Sequence, residues 1–392
     1  MKDRVFVTDG HWRKTLAAVR GLGREGVRVT VGESTRIATA LFSRHCRRAV
    51  VYPSPMSRPI DFLAFLFRDL ERHPCELLLP MEDLTVRLIS RHRADLPPST
   101  RLALPDHENL VLAMRKDRVL DLADGLGIPV PATWRVRTLQ ELDDLRDRIP
   151  YPAVIKPREG SGAVGVRYVS RPEDLKGAYQ RVHARFPFPL IQERIPREGP
   201  GYGVSLLFDR AGGVRASFVH RRLREYPVSG GASTLRESVR RDDLLEMAVS
   251  LMRAIGWFGV AQVEFKTDPR DGTPRLMEVN PRFWGSLALA LQCGVNFPHL
   301  LLRVARGEKV AEVRDYPVGR KCRWLLPGDL LHFLQNPRRM RLEPSFFRFR
   351  DGDTGYDICS LRDPLPVLGR VLTGLILLTD PDMKARLRER KP

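Results

Sequence analysis

Residues 259–282, GVAQVEFKTDPRDGTPRLMEVNPR, decide how this chain is interpreted. Within this stretch, apolar residues at alternating positions predict β-strands over residues 260–266 and 275–280. Turn-forming residues centred near Asp271 separate the two runs and predict an antiparallel hairpin. Because strand side chains alternate between the two faces of a sheet, one face of this hairpin is predicted to be core and the other polar.

The predicted hairpin places two carboxylates face to face. With a turn near Asp271, Glu264 lies opposite Glu278, and Gln262 lies opposite Asn280. The predicted polar face consists of Gln262, Glu264, Lys266, Glu278, Asn280 and Arg282. The predicted apolar face consists of Ala261, Val263, Phe265, Met277 and Val279.

A polar face of this composition predicts a metal site. Opposed like charges destabilise a sheet and raise each other's pKa, and a divalent cation removes both effects. Magnesium prefers oxygen ligands from one or two carboxylates together with substrate phosphates. We therefore predict Glu264, Glu278 and Asn280 as metal ligands, with Arg282 beside them to hold phosphate or carboxylate. A surface hairpin with cross-strand ion pairs is the alternative, but it gives no reason for Glu, Asn and Arg at successive positions of one face.

A lysine at a strand end precedes a glycine-rich turn. Predicted strands over residues 152–156 and 166–169 flank the sequence PREGSGAVG, residues 157–165. Glycine backbones approach anions closely and a lysine supplies a point charge, so this segment predicts a phosphate-binding loop. Its candidate residues are Lys156, Gly160, Ser161, Gly162 and Gly165. The order strand, loop, strand excludes a Walker P-loop, and a flexible hairpin is the alternative.

Two further segments extend the predicted nucleotide site. Lys116, in a predicted helix over residues 113–127, is a candidate second phosphate ligand, and a solvated helix face is its alternative. Gln192 and Glu193 end a predicted strand, where backbone groups and the Glu193 carboxylate are placed to hydrogen-bond an adenine edge. An ordinary exit from strand to loop is the alternative for this pair.

Alternating strands and helices open the chain and predict a parallel sheet covered by helices. The predicted strands are residues 4–8, 27–31 and 77–80, and the predicted helices are residues 13–23 and 62–70. Ligands of such sheets lie beyond the carboxyl ends of the strands, which makes Asp9, His11, Glu82 and Asp83 candidate substrate contacts. Helix caps and turns are the alternative for each of them. No GxGxxG sequence follows the first strand, which argues against a dinucleotide site there.

Composition sets the broad class of protein. The chain has 392 residues, a hydrophobic fraction of 43% and five cysteines without a CxxC pair, as expected of two or three globular units in a reducing cytoplasm. Neither a signal peptide nor a transmembrane run is predicted. The formal net charge of +19 favours anionic partners, but no basic stretch is interleaved with aromatic residues, so no specific nucleic acid is predicted.

A resemblance to a known family rests on the order of these motifs. They are Lys116, Lys156 with its glycine loop, Gln192-Glu193, Glu264, and Glu278-Val-Asn280-Pro-Arg282. Over roughly residues 1–300 the chain resembles the ATP-grasp superfamily, in its carboxylate–amine ligase and carbamoyl-phosphate-synthase-like branch. The resemblance implies an α/β and α+β fold with a Rossmann-like preATP-grasp domain and an ATP-grasp domain of two α+β subdomains. The implied bounds are 1–112 for the first domain, 113–310 for the second (lid about 130–195, metal-binding subdomain about 196–310) and 311–392 for a C-terminal extension.

The resemblance also implies roles for individual residues. Lys116 and Lys156 are expected to contact the phosphates of ATP, while Glu193 and the backbone of Ile195 are expected to meet adenine. Two Mg²⁺ or Mn²⁺ ions are expected at the three metal ligands. Arg282, acting with Lys156, is expected to stabilise the transferring phosphoryl group in catalysis. Many relatives carry an acidic ribose-binding residue after the hinge, for which only Glu198 is available. Carbamoyl phosphate synthetases usually carry two such units, so the single unit here weakens that interpretation.

Two candidate substrate contacts lie between the hinge and the metal hairpin. Arg222 is expected to bind a substrate carboxylate, and Ser233, in the glycine–serine loop 229–233, is expected to close over the acyl phosphate. A solvated face is the alternative for Arg222 in a chain this basic.

The C-terminal region carries an apolar stripe at helical spacing, followed by basic residues from Lys384 to Lys391. The stripe consists of Val367, Leu368, Val371, Leu372, Leu375 and Ile376. We predict that it packs on the protein's own core or on a partner subunit, in preference to an anionic membrane surface, and a homodimer is left open.

The sequence therefore predicts a cytoplasmic, ATP-dependent ligase. Such an enzyme activates a small-molecule carboxylate as an acyl phosphate and joins it to a small-molecule amine. Two alternatives stay open, namely a kinase-like phosphotransferase of the same superfamily and a non-enzymatic nucleotide- or nucleic-acid-binding protein.

Overall fold

The computed structural model describes residues 3–160, 164–228, 230–349 and 351–377. Three β-sheets organise this part of the chain, and helices pack against them. Several predicted features lie outside the described residues, namely Ser161 and Gly162 of the phosphate loop, Ser229 of the glycine–serine loop, Ile376 as a side chain, and the basic run from Lys384 to Lys391.

The first sheet is parallel and has five strands. They are β1 (Arg4–Val7), β2 (Arg28–Glu33), β3 (Cys46–Val51), β4 (Leu77–Leu79) and β5 (Arg101–Leu102), in the spatial order β3-β2-β1-β4-β5. Its helices are α1 (Arg13–Arg24), α2 (Pro59–Arg72), α3 (Asp83–Arg91) and α4 (His107–Met114). The central strand β1 is buried on both faces, as its unbroken apolar run Val5-Phe6-Val7 requires. The predicted parallel sheet is confirmed, and the loops after β1 and β4 leave it at the same edge.

The segment predicted as one helix over residues 113–127 is divided between two helices. Helix α4 ends at Met114, and α5 (Lys116–Gly125) starts after Arg115, whose backbone is extended. The N–H of Lys116 donates to the carbonyl oxygen of Arg158 at 2.8 Å, which ties the start of α5 to the phosphate loop. The prediction of a single helix is therefore wrong, because this tertiary contact interrupts the helical repeat at Arg115.

The second sheet is small and antiparallel. Its strands are β6 (Thr133–Arg135), β7 (Ala153–Lys156), β8 (Arg167–Val169) and β9 (Leu190–Glu193), in the spatial order β6-β9-β7-β8. Helices α6 (Glu141–Leu145) and α7 (Leu175–His183) pack on it through a separate apolar core. Strands β7 and β8 pair with the phosphate loop between them, which confirms the predicted order of strand, loop and strand.

The third sheet has seven strands and forms the largest layer. They are β10 (Gly201–Phe208), β11 (Val214–Tyr226), β12 (Ala232–Ser238), β13 (Gly259–Thr267), β14 (Pro274–Asn280), β15 (Lys321–Arg323) and β16 (Thr354–Tyr356), in the order β14-β13-β10-β11-β12-β15-β16. The accompanying helices are α8 (Asp242–Ala254), α9 (Leu287–Gln292), α10 (Phe297–Ala305) and α11 (Leu330–Gln335). Residues beyond 310 thus extend this sheet at one end by two strands, β15 and β16. The domain bounds at 112 and 310 remain predictions.

One apolar core joins the first sheet to the third. Side chains of β1 and α1, such as Val7 and Leu16, belong to the same buried cluster as Phe218 on β11 and Trp284 after β14. Because this core is shared, the ligand edge of the first sheet is held against the end of β14.

The C-terminal helix α12 (Leu365–Leu377) turns its small residues inward. Gly369 faces the ring of Phe42, and Thr373 is fully buried. Val367 packs against the core shared by the first and third sheets, as predicted, whereas Leu368, Val371 and Leu375 are between 51% and 60% exposed and do not pack on the protein's own core. Packing of these exposed residues on a partner subunit stays a prediction. Among the helices of the described residues, none has both the length and the apolar composition needed to cross a bilayer.

Candidate functional site

The predicted hairpin forms with the predicted register at its carboxylates. In β13 and β14, Glu264 pairs with Glu278, and Gln262 pairs with Asn280. A β-bulge follows Glu264, so that Phe265 pairs with Leu276. Leu276 is fully buried in the core beside Phe265, whereas Met277 is only half-buried. The prediction that Met277 lies on the apolar face is therefore wrong, because the extra residue at the bulge shifts the alternation by one position.

Glu264 lies at the centre of a buried polar cluster. Asn280 Nδ2 donates to Glu264 Oε1 at 3.0 Å, and the Arg222 guanidinium contacts Glu264 Oε2 at 2.5 Å. Burial raises the pKa of Glu264, the positive charge of Arg222 opposes this rise, and the negative charge of Glu278 adds to it. The two carboxylates therefore repel each other as expected, and the charge of Arg222 offsets part of the rise in the pKa of Glu264.

Glu278 meets the predicted phosphate ligands. Lys116 Nζ lies 3.5 Å from Glu278 Oε2 and also donates to the carbonyl oxygen of Gly160. Lys156 is buried beside them. Burial and the charge of Lys116 together lower the pKa of Lys156 to about 8, against the opposing charge of Glu278. Three segments far apart in the sequence thus bring two lysines, a glycine turn and a carboxylate together.

The phosphate loop depends on glycine at its exit. Gly165 has a φ of 72°, and a Cβ atom there would lie 2.6 Å from the ring of Phe186 and 2.8 Å from Pro157. Any larger residue at this position would therefore displace its neighbours as well as strain the backbone. Gly160 also has a positive φ, of 105°, but has open space around it.

The predicted adenine contacts lie at the end of β9. Gln192 is fully buried; its Nε2 donates to Thr133 Oγ1 at 2.7 Å, while its Oε1 has no hydrogen-bond partner among the described residues. The Glu193 carboxylate accepts from the N–H of Ala132 at 3.0 Å and from Arg270 at 2.8 Å. Ile195 is buried just beyond, whereas Glu198 is exposed.

Arg282 forms an ion pair with Asp83, at the start of helix α3 of the first sheet. Its Nε and Nη2 atoms donate to the two carboxylate oxygens of Asp83 at 2.7 and 2.9 Å, and its Nη1 donates to the carbonyl oxygen of Phe283. The prediction singled out both Arg282 and Asp83 but did not pair them. The ion pair places the start of α3 against the end of the metal hairpin.

A buried lysine beside this ion pair was missed by the sequence analysis. Lys14, in the first turn of α1, is 4% exposed and contacts Glu82 Oε1 at 2.6 Å. Burial lowers the pKa of Lys14, and the charge of Arg282 lowers it further. The rule that ligands lie beyond the carboxyl ends of parallel strands selects this position as readily as it selects His11.

The other residues of this edge are tied into its own hydrogen bonds. His11 Nε2 lies 2.9 Å from Thr35 Oγ1, and the His11 N–H donates to Glu33 at 3.1 Å. The Asp9 carboxylate accepts hydrogen bonds from Glu82 and Thr85 in the segment after β4, and burial, together with the charges of Glu82 and Glu33, raises its pKa to about 6. This edge therefore carries a balanced set of charges rather than a single positive patch.

The two substrate candidates on the third sheet differ. Arg222 lies within the buried polar cluster around Glu264, where it contacts both Glu264 and Glu225. Ser233 lies opposite Glu225 on β12, and its hydroxyl donates to the carbonyl oxygen of Leu235 at 3.2 Å. The structure thus brings Arg222 to the polar cluster around Glu264, while the Ser233 hydroxyl forms its hydrogen bond within its own strand.

The donor set fits a magnesium site. Among the described residues, no three His, Cys, Asp or Glu side chains form a ready-made metal cluster. A pair of opposed carboxylates with an amide oxygen is what magnesium uses when phosphate oxygens complete its shell. In the structure, Arg222 contacts Glu264 and Lys116 contacts Glu278, so each of these carboxylates has a cationic partner.

A Rossmann-like first sheet, a small antiparallel lid and a large sheet with opposed carboxylates together define an ATP-grasp fold. A family model described as "ATP-grasp in the biosynthetic pathway with Ter operon" matches residues 186–325. The biotin carboxylase of Campylobacter jejuni has a similar structure, with a TM-score of 0.67 at 16% identity over 81% of this chain and 74% of that one. The chain is therefore similar to an ATP-grasp family in sequence over residues 186–325 and to a biotin carboxylase in fold.

Two sequence relatives each match about half of the chain. Acetyl-CoA carboxylase of Dictyostelium discoideum is 26% identical over 205 residues, which is 50% of this chain and 9% of that protein. The N-terminal section of the carbamoyl phosphate synthase large chain of Methanopyrus kandleri is 26% identical over 225 residues, 54% of this chain and 39% of that section. The chain therefore spans well under half the length of either relative.

Proposed function

We propose that this protein is an ATP-dependent ligase that activates a carboxylate as an acyl phosphate and joins it to an amine, releasing ADP and phosphate. One observation carries the proposal. Lys116 contacts both Glu278 and Gly160, so that a predicted phosphate ligand, the phosphate loop and the predicted metal hairpin meet at one point. Positioning and charge neutralisation are what phosphoryl transfer requires of a protein.

Glu264, Glu278 and Asn280 would hold the metal, with two ions expected. Bound Mg²⁺ supplies charge neutralisation on the phosphate oxygens. The repulsion from Glu278 that contributes to the raised pKa of Glu264 supports this assignment, because a bound cation would remove it. With these carboxylates holding a metal, Arg222 and Lys116, which now contact them, would be available to bind substrate and phosphate.

The remaining residues are assigned to the phosphate end or to the adenine end of the nucleotide, and one to the acyl phosphate. Lys156, buried and without a carboxylate of its own at contact distance among the described residues, binds phosphate oxygens as a point charge. The buried Oε1 of Gln192 and the backbone after β9 lie at the predicted adenine end. Arg282 carries its charge to the acyl phosphate while Asp83 fixes the orientation of its guanidinium.

The relatives support activation of a carboxylate. Carbamoyl phosphate, named as the product of one of them, is itself an acyl phosphate. All five cysteines are free thiols, which agrees with the cytoplasmic location that we propose.

The test is an ADP-release screen over pairs of amino acids and small acids, in the presence of Mg²⁺. We expect ADP release that depends on one acid, and hydroxylamine should trap that acid as its hydroxamate. Acid-independent transfer of phosphate to a hydroxyl group, without trapping, would establish a kinase-like enzyme instead. Salt-sensitive binding of oligonucleotides without ADP release for any pair would establish a binding protein.

A further inference from the structure

A cavity of about 230 Å³ lies between α12 and the segment that follows β15. Its walls are mostly apolar and include Leu325, Leu326, Pro327, Ile358, Val367 and Val371. None of its lining residues belongs to the metal hairpin or to the phosphate loop. It is therefore separate from the site proposed for ATP.

Two arginines interrupt this apolar lining, Arg323 on β15 and Arg370 on α12. Arg323 is only 1% exposed. Its Nε contacts Asp329 at 2.5 Å and its Nη2 donates to the carbonyl oxygen of Phe346 at 2.8 Å. Its Nη1 is buried without a hydrogen-bond partner among the described residues. A guanidinium N–H at the cavity wall is thus left unsatisfied.

The charges around the cavity do not balance. Asp329 is fully buried and serves two guanidinium groups, those of Arg323 and Arg224, the latter at 3.2 Å. Arg370 makes no ion pair within the described part of the chain, and burial lowers its pKa. The charge of Arg370 also contributes to lowering the pKa of Arg13. Two arginines therefore share one carboxylate, and Arg370 has none among the described residues.

A buried excess of positive charge is costly unless an anion accompanies it. A guanidinium pairs best with a planar carboxylate, which it binds through two parallel hydrogen bonds. The apolar walls suit a hydrocarbon body, and the volume lies just below the roughly 300–1,000 Å³ of common small-molecule sites, so the ligand is small. We propose that this cavity binds a small carboxylate with an apolar body, its head on Arg323 and Arg370 and its body beneath α12.

This site lies outside the proposed ligase reaction, so its test measures binding alone. Octanoate, below its micelle concentration, is titrated calorimetrically into the full chain without nucleotide, with octanol and octylamine as probes of equal length. We expect octanoate to bind, octanol to bind about tenfold more weakly or less, and octylamine not to bind. Absence of octanoate binding, or equal binding of octanol, would overturn the proposal.

Three variants locate the binding. Arg370→Leu should weaken octanoate about tenfold or more while leaving the melting temperature unchanged or higher, since it removes an unpaired buried cation. Val367→Trp should fill the cavity and abolish binding. Arg339→Gln, an exposed arginine outside the cavity lining, is the matched control and should bind as the wild type does. Unchanged octanoate affinity in either cavity variant, or a clearly lower melting temperature in Arg370→Leu, would overturn the assignment.

Discussion

Arg282 and Asp83, 199 residues apart in the sequence, form a two-point ion pair at 2.7 and 2.9 Å. Arg282 follows the metal hairpin, and Asp83 begins a helix of the first sheet. Like the apolar core, this ion pair joins the first sheet to the third. It fixes the position of one proposed catalytic charge from the opposite side of the site.

Asp83→Asn should therefore destabilise the protein. Arg282 is 7% exposed, so losing its charged partner leaves a nearly buried cation, at an expected cost of about 1–3 kcal/mol in the free energy of unfolding. Urea denaturation measures the difference. Asp315→Asn is the control, because the ion pair of Asp315 with Arg240 is exposed and should change stability by less than about 0.5 kcal/mol. Equal effects of the two substitutions would show that the Arg282 pair has no special role.

Arg222→Gln should strengthen the binding of Mg²⁺. Arg222 contacts Glu264 at 2.5 Å and so competes with a metal for the same carboxylate. Removing that charge should lower the Mg²⁺ concentration that half-saturates nucleotide binding by about five- to tenfold. The neighbouring Arg221→Gln is a matched control, since Arg221 pairs with Glu237 and not with Glu264. An unchanged Mg²⁺ requirement in Arg222→Gln would mean that Arg222 and the metal do not share this ligand.

The free energy of unfolding should depend on pH through the buried charge of Lys156. Its pKa is about 8 in the folded protein, below the ordinary value of 10.5 for an unfolded chain. Between these values the unfolded state binds more protons, so the contribution of Lys156 to the free energy of unfolding rises as the pH increases from about 8 to 10.5. Lys156→Met should lack this rise when chemical denaturation is followed across that range.

The control for Lys156 is Lys309→Met, which removes an exposed lysine and should follow the wild-type curve. Parallel curves for Lys156→Met and the wild type would contradict the assignment of a lowered pKa. The ATP concentration is kept at zero, because bound phosphate would hold Lys156 in its charged form.

The sequence predicted those parts of the site that follow from local periodicity. The pairing of Glu264 with Glu278 follows from a strand period of two and a central turn. The buried parallel sheet follows from apolar runs alternating with helices. Both depend on residues close in the chain, which is why they could be inferred without coordinates.

Features set by distant contacts escaped prediction. The break between α4 and α5 depends on the hydrogen bond from Lys116 to Arg158, and the bulge that buries Leu276 depends on packing against the core. The ion pair of Arg282 with Asp83 joins the first sheet to the hairpin, and that of Lys14 with Glu82 joins the segments after β1 and β4 of the first sheet. No local pattern specifies which of 66 basic residues meets which of 47 acidic ones.

The most direct test of the proposed site is the binding of Mg²⁺ and the ATP analogue AMP-PNP to Glu278→Gln. Glutamine keeps the size of the side chain but removes the charge that faces Glu264 and meets Lys116. Glu246→Gln, an exposed glutamate on α8, is the control. Circular dichroism and melting temperature establish that each variant is folded.

Titration calorimetry with and without Mg²⁺ gives the decisive comparison. For the wild type and for Glu246→Gln we predict that Mg²⁺ strengthens AMP-PNP binding. For folded Glu278→Gln we predict that this strengthening falls by at least about tenfold, as expected when a charged metal ligand is lost. Full Mg²⁺-dependent binding by Glu278→Gln would contradict the metal and phosphate site on which the proposed function rests.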